Sequence, residues 1–293
     1  MTALPPLAVR VGAGATATER VLAWDRPLVM GVVNVTPDSF SDGGHHLDPE
    51  AAVAHGLALV AAGADLLDLG GEATNPRARP VPVEVERDRV VPVIAALAAR
   101  TDAVLSVDTT KAAVAEAAVA AGAGMVNDVS GGRFDPAMFA AVAASGAAYV
   151  CGHLRGASLA EVFAAEAPAT WREVADELAA RLAAMPAALR ARTVVDPGLG
   201  FGKGDHAANL ALCARSGELS RALGRPVLVG PSRKRFVARV VGEAGLAVTP
   251  AALDAGTVGA CLAAVAAGAH VVRVHDVSLL RPALAVYTEI QRA

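Results

Sequence analysis

Eight short apolar runs recur along the chain, and each ends in a polar residue. They read VMGVVN to Asn34, DLLD to Asp68, AVLSVD to Asp108, MVND to Asn127 and Asp128, AAYVCGH to His153, TVVD to Asp196, PVLVGPS to Ser232, and HVVRVH to Arg273 and His275. Ala-rich stretches of helical length separate most of them. Strands spaced by helices need crossover connections and so pair in parallel. The pattern therefore predicts an α/β fold, the (β/α)8 TIM barrel, with its polar strand ends gathered on the catalytic rim.

Helices are expected over 49–62, 84–100, 111–121, 135–145, 170–184, 206–223, 251–267 and 278–291. Pro49 and Pro136 each follow an Asp, as at an N-cap and first helical position. Gly63, Gly122, Gly146 and Gly268 stand where a helix C-cap wants positive φ. Residues 1–28 read as a lead-in, in which LAVRV (7–11) and RVLAW (20–24) form a β-hairpin able to plug the barrel bottom. Residues 29–293 show no break in composition and read as one barrel domain.

Composition narrows the function. Apolar residues make up 54% of the chain and aromatics only 3%, so a large core must be built from Val, Leu and Ala. The net charge of −3 argues against nucleic-acid binding. No apolar run has membrane-spanning length, and MTALPPLAVR lacks the layout of an export signal. Cys151, Cys213 and Cys261 are far apart and odd in number, which fits buried thiols in a reduced cytoplasm. Only three of the 26 basic residues are lysines, at Lys111, Lys203 and Lys234. In a chain that otherwise uses Arg, the two in strand-end loops, Lys203 and Lys234, are candidates for work that suits a compact ammonium.

The strand ends supply the chemistry. The loop from Asn34 to Gly44 offers an amide oxygen, hydroxyls, the carboxylates of Asp38 and Asp42, and two glycines, an inventory suited to Mg2+ and a diphosphate, or simply to a turn. The loop from Gly70 to Pro80 adds Thr74, Pro76, Arg77 and Arg79. Asp108, Asn127 and Asp196 end apolar runs and would crowd the mouth, where they could read the donor edge of a flat heterocycle; each Asp alone could equally cap the next helix. Lys234, Arg273 and His275 fall after the seventh strand and on the eighth, where such barrels commonly bind phosphate. Arg273 and His275 are two apart and share a face.

Taken together, these motifs resemble dihydropteroate synthase. The match runs through Met30–Gly43, Ser106–Thr109, Val126–Gly132, Asp196–Lys203, Ser232–Lys234 and Arg273–Val277, nearly the whole barrel. The resemblance implies condensation of 6-hydroxymethyl-7,8-dihydropterin diphosphate with p-aminobenzoate through an SN1-like C–O cleavage. It implies a pterin held by Asp108, Asn127, Asp196, Lys234 and Arg273, and a diphosphate held by Asn34, Arg273 and His275. It further implies Mg2+ on Asn34, and p-aminobenzoate against Thr74, Pro76, Phe201, Ser232 and Lys234. Asp108, Lys234, Arg273 and His275 would act in catalysis, in a cytoplasmic homodimer. Two departures stand out. The family's Thr-Arg-Pro-Gly is here Thr74-Asn75-Pro76-Arg77, with Arg77 expected to restore the charge. A pocket-lining Met is replaced by Gly152, expected to leave a void that Cys151 or Leu154 fills. Two rival readings share the pterin-binding barrel. A methyltetrahydrofolate–corrinoid methyltransferase has no use for the Lys234, Arg273 and His275 clamp. A catalytically silent paralogue would bind pterin without turnover.

Overall fold

The computed structural model describes residues 4–14, 17–36, 48–74, 80–164 and 168–293. A hairpin of β1 (Leu7–Val11) and β2 (Thr18–Leu22) comes first, followed by β3 (Leu28–Asn34) and α1 (Pro49–Ala61). Then come β4 (Leu66–Gly70), α2 (Val83–Ala98), β5 (Val104–Asp108), α3 (Ala112–Ala121), β6 (Met125–Asp128), α4 (Met138–Ser145) and β7 (Ala148–Gly152). The short α5 (Leu159–Ala164), α6 (Trp171–Ala184) and α7 (Ala187–Ala191) precede β8 (Thr193–Asp196). The chain ends with α8 (His206–Ala214), α9 (Ser216–Leu223), β9 (Leu228–Val229), α10 (Arg235–Glu243), α11 (Pro250–Ala266), β10 (Val271–Val274) and α12 (Val277–Arg292).

Strands β3 to β10 lie side by side in chain order, all parallel, and β10 returns to β3 through Val271–Val274 against Leu28–Gly31. The seam between β8 and β9 is closed by one parallel bridge, Val195 to Val227. β9 is only two residues long because Pro226 and Pro231 flank it and donate no ladder hydrogen bond. Alternation builds two apolar layers. Side chains facing the helices, such as Val29, Leu67, Leu105 and Val126, form the large outer core. Those facing the axis, such as Met30, Leu66, Val104, Met125 and Val271, fill the barrel floor.

The hairpin closes that floor. Leu7, Val9, Val11 and Leu22 join the inner layer. The approach is close enough that a Cβ on Gly124 would lie 1.9 Å from the Arg10 carbonyl oxygen. Below it, Arg26 holds the buried Asp65 through two bonds of 2.6 and 2.9 Å.

The helix signals read from sequence mostly hold. Asp48 caps α1 by accepting from Glu50 and Ala51 N–H at 2.9 and 3.2 Å, with Pro49 at the first position. Gly63, Gly122, Gly146 and Gly268 all take positive φ, from 78° to 120°. Two expectations need correction. The helix expected from 135 starts at Met138, because the Asp135 carboxylate bonds Ala137 N–H and also caps α3 at Ala112 N–H. The helix expected over 206–223 breaks at Arg215. There the Ser216 hydroxyl bonds back to the Cys213 carbonyl at 2.9 Å, and Gly217 N–H turns to Ala267 O at 2.6 Å. Among the described residues no helix is long and apolar enough to cross a membrane, and the three cysteines are free and buried.

Candidate active site

The C-terminal rim gathers a buried knot of charge. Arg273 on β10 donates from Nε to Asp68 Oδ2 at 2.6 Å and from Nη2 to Asp108 Oδ2 at 2.8 Å. Asn127 on β6 donates from Nδ2 to the same Asp68 oxygen at 2.7 Å. Thus β4, β6 and β10 meet at the Asp68 carboxylate, and β5 joins them through the second arm of Arg273. Asp68 is fully buried, and its Oδ1 has no hydrogen-bond partner among the described residues. Burial pushes the Asp108 carboxyl up to about 7; Arg273 opposes the rise and the Asp68 charge adds to it.

Asp196, at the end of β8, accepts from Gly198 N–H at 2.7 Å. Burial raises its pKa, and Lys234 is the main opposing charge. Lys234 stands at the N-terminus of α10, bonds the Leu199 carbonyl, and sets its ammonium 4.8 Å from the centre of the Phe201 ring. Burial brings its pKa down to about 8, Asp196 resisting and Arg273 contributing.

The turn that delivers Lys234 is strained and braced. Arg233 has φ of 55°, a left-handed conformation that a long side chain seldom adopts. It is held by two bonds from its guanidinium to Asp254, at 2.7 and 3.1 Å, and by its N–H to Thr257 Oγ1 at 3.1 Å.

Ser232 and His275 fix each other. His275 N–H donates to Ser232 Oγ at 3.3 Å, and Ser232 Oγ lies 2.9 Å from His275 Nδ1. Burial first, then Arg273 and Arg233, lower the imidazole to about 4, so it is neutral near pH 7. A neutral ring whose Nδ1 accepts the serine proton carries its own proton on Nε2, leaving an N–H to donate. Asn34 is exposed at the end of β3, the strand beside β10.

Next to the knot lies a cavity of about 700 Å³. Thr74, Leu199, Phe201, Lys203, Arg233 and Lys234 line it, with Arg235 and Arg239 farther out. Asp108, Asn127, Asp196, Arg273 and His275 are not among the residues that line it. The residues anticipated from sequence therefore fall into two groups, a deep polar knot and an open cationic cavity, and Lys234 reaches both. Pro76, Asn75 and Arg77, together with Asp38 and Asp42, lie outside the described residues.

The expected void at Gly152 does not exist. A Cβ there would lie 2.5 Å from both Cα and O of Val129, so main chain already occupies the space. Gly131 makes the reciprocal approach, its Cβ position 2.4 Å from the Gly152 carbonyl. Sequence reasoning also left two features without a role. Asp68 ends an apolar run like its neighbours, and that signal was available. Lys111 bonds both Glu72 and the buried Glu86, while Arg89 bonds the Gly71 carbonyl at 2.8 Å. These contacts pin the root of the loop that presents Thr74, and nothing in the local sequence pairs the three charges.

Residues 30–275 match the pterin binding enzyme family. The chain is 49% identical over 267 residues to a dihydropteroate synthase of Mycobacterium leprae, covering 88% of this chain and 91% of that one. A dihydropteroate synthase of Xanthomonas albilineans solved with 4-aminobenzoic acid superposes with a TM-score of 0.83 at 45% identity, covering 98% of this chain and 99% of that one. The same bacterium's enzyme in complex with 7,8-dihydropteroate gives a TM-score of 0.79 at 45% identity, covering 97% and 99%. The chain belongs to the pterin-binding enzyme family, among its dihydropteroate synthases.

Proposed function

We propose that the two groups of residues divide one reaction between them, the condensation of 6-hydroxymethyl-7,8-dihydropterin diphosphate with p-aminobenzoate to 7,8-dihydropteroate and diphosphate. The observation that carries this division is the position of Lys234, which lines the cationic cavity, bonds the Leu199 carbonyl and lies over the Phe201 ring, while its charge acts on Asp196 and Asp108 at the mouth. The pterin ring takes the mouth, with Asp108, Asn127 and Asp196 pairing its polar edge and Lys234 beside it. When Asp108 turns to the ring it releases one arm of Arg273. Asp68 keeps the other, so the guanidinium remains anchored while its free face meets the diphosphate. His275 adds its Nε2–H, and Asn34 completes that side.

A magnesium ion suits this end of the site. Mg2+ commonly takes one or two protein oxygens and fills its shell with water and substrate phosphate, and the exposed Asn34 amide offers one such oxygen. When bound, the ion supplies Lewis-acid stabilisation of charge on the departing diphosphate. The substrate C–O bond breaks first, and its electron pair leaves with diphosphate. Positive charge on the methylene spreads into the pterin, where the Asp108 carboxylate opposes it. The amine of p-aminobenzoate, held by Thr74, Phe201, Ser232 and Lys234 with its carboxylate toward the cations, attacks the methylene and then gives one proton to water. Proximity of the two sites makes the second step effectively intramolecular.

The assignment extends to a cytoplasmic homodimer, supported by buried thiols and by Leu279, Val286 and Ile290 exposed along α12. A diphosphate-release assay tests the reading. Release should require both substrates and Mg2+, with dihydropteroate formed in equal amount. A silent pterin-binding protein would give neither product.

A further inference from the structure

Lys203 lines the cavity floor yet is only 2% exposed. Its Nζ donates to the Phe201 carbonyl at 2.7 Å and to the His153 carbonyl at 3.0 Å. It therefore ties the loop after β8 to the residue that follows β7. The loop passes so close there that a Cβ on Gly198 would lie 1.8 Å from the same His153 oxygen, at a φ of +69°. From this anchored base an arch rises. Phe201 N–H closes a turn on Gly198 O at 3.0 Å, and Gly200 N–H is held by Asn209 Oδ1 at 2.6 Å. The crown of the arch meets Lys234 twice, through the Leu199 carbonyl and the Phe201 ring.

We propose that Lys203 is a positioning residue for the p-aminobenzoate side of the site: clamped between the carbonyls of His153 and Phe201, it holds the 198–202 arch so that Phe201 and Lys234 meet the substrate in register. The inference rests on the placement of p-aminobenzoate argued above. Two acceptors converging on one point call for a compact donor, and a planar guanidinium would not fit so enclosed a place. That explains why a chain rich in arginine keeps a lysine here. A buried cation bonded only to neutral carbonyls is an expensive way to tie a loop, which points to a purpose other than stability. The cost is visible as burial lowering the ammonium to about 7, with Asp196 resisting and Lys234 adding to the fall.

Steady-state kinetics of the full-length Lys203→Met and Lys203→Gln enzymes, with each substrate varied in turn, test this. Lys203→Met should raise the KM for p-aminobenzoate by about tenfold, with the KM for pterin diphosphate changed less than about threefold. Lys203→Gln keeps N–H donors on a shorter side chain and should fall between wild type and Lys203→Met; it also serves if Lys203→Met does not fold. Phe201→Ala should raise the same KM, and the Lys203→Met/Phe201→Ala double variant should be little worse than the poorer single. A wild-type KM for p-aminobenzoate in every Lys203 variant that folds overturns the proposal, as do equal rises in both KM values or additive effects in the double variant. Phe201→Ala with unchanged kinetics would instead remove the substrate placement beneath it, and the proposal with it.

Discussion

Asp68→Asn separates what the buried knot does for stability from what it does for catalysis. The side chain keeps its shape but loses its charge. In the native protein one Asp68 oxygen accepts from Arg273 at 2.6 Å and from Asn127 at 2.7 Å. Hydrogen bonds involving a charged partner are worth roughly 1.5–3 kcal/mol, and neutral ones about 0.5–1.5 kcal/mol. Weakening both bonds therefore removes about 2–3 kcal/mol of positioning. Much of that should not register in folding stability, because a fully buried carboxylate with one bare oxygen is itself costly to bury, and its removal offsets the loss. On the proposed function catalysis has no such offset, since Arg273 and Asn127 are both assigned to the pterin substrate. At about 1.4 kcal/mol per factor of ten, kcat/KM for pterin diphosphate should fall roughly 30- to 150-fold. The melting temperature should stay within about 3 °C. Diphosphate release and thermal unfolding on the same preparation give both numbers. A variant with kcat/KM within threefold of wild type, or one crippled only because it unfolds, refutes the claim that Asp68 organises the site.

The charge states of the mouth predict a narrow pH optimum. The proposed mechanism needs Asp108 ionised, with a pKa of about 7, and Lys234 protonated, with a pKa of about 8, so kcat/KM should be bell-shaped with limbs near those values, and a flat profile from pH 6 to 9 would exclude these roles. Stability carries the opposite sign on the acid side. The raised Asp108 pKa means the folded state holds the proton more tightly than the unfolded chain, so stability declines as pH rises from about 4 to 7, and unfolding curves of Asp108→Asn should lose that component. At Gly152, restoring even a methyl group forces main chain apart at a 2.5 Å approach, so Gly152→Ala should cost about 2 kcal/mol or more in urea unfolding. An unchanged midpoint would mean that the 128–132 loop shifts freely.

The barrel was legible because its determinants are local. Each strand needs a run such as TVVD or AVLSVD, and each crossover needs a capped helix; both leave marks within a dozen residues. Asp48 with Pro49, and the four glycines that follow helices, mark the right places for that reason. What escaped was set by contacts distant in sequence. The run from 206 to 223 reads as helix but for Ser216-Gly217, and the break there is set by the Ser216 hydroxyl on Cys213 O together with the Ala267 carbonyl, which arrives from the end of α11 and draws Gly217 away. Arg235–Glu243 is absent from the helices expected from sequence, although its buried Phe236, Val237 and Val241 alternate with outward charges at helical spacing.

The site divides along the same line. Asp108, Asn127, Asp196, Lys234 and Arg273 stood out because polar residues at the ends of apolar strands have few other places to go. Asp68 carried that mark too, yet its rank within the group depended on Arg273, 205 residues away, sharing an oxygen with Asn127. The Gly152 departure teaches the converse. One missing side chain reads as empty space in a sequence, but in the fold a second strand-end loop has moved into the gap, with Gly131 meeting Gly152 main chain to main chain. A close packing of two loops, and not a cavity, is what a glycine pair at adjacent strand ends buys. The altered residue thus changes how the β6 and β7 loops brace the mouth, while Asp108, Asn127 and Arg273 keep the bonded knot beside them.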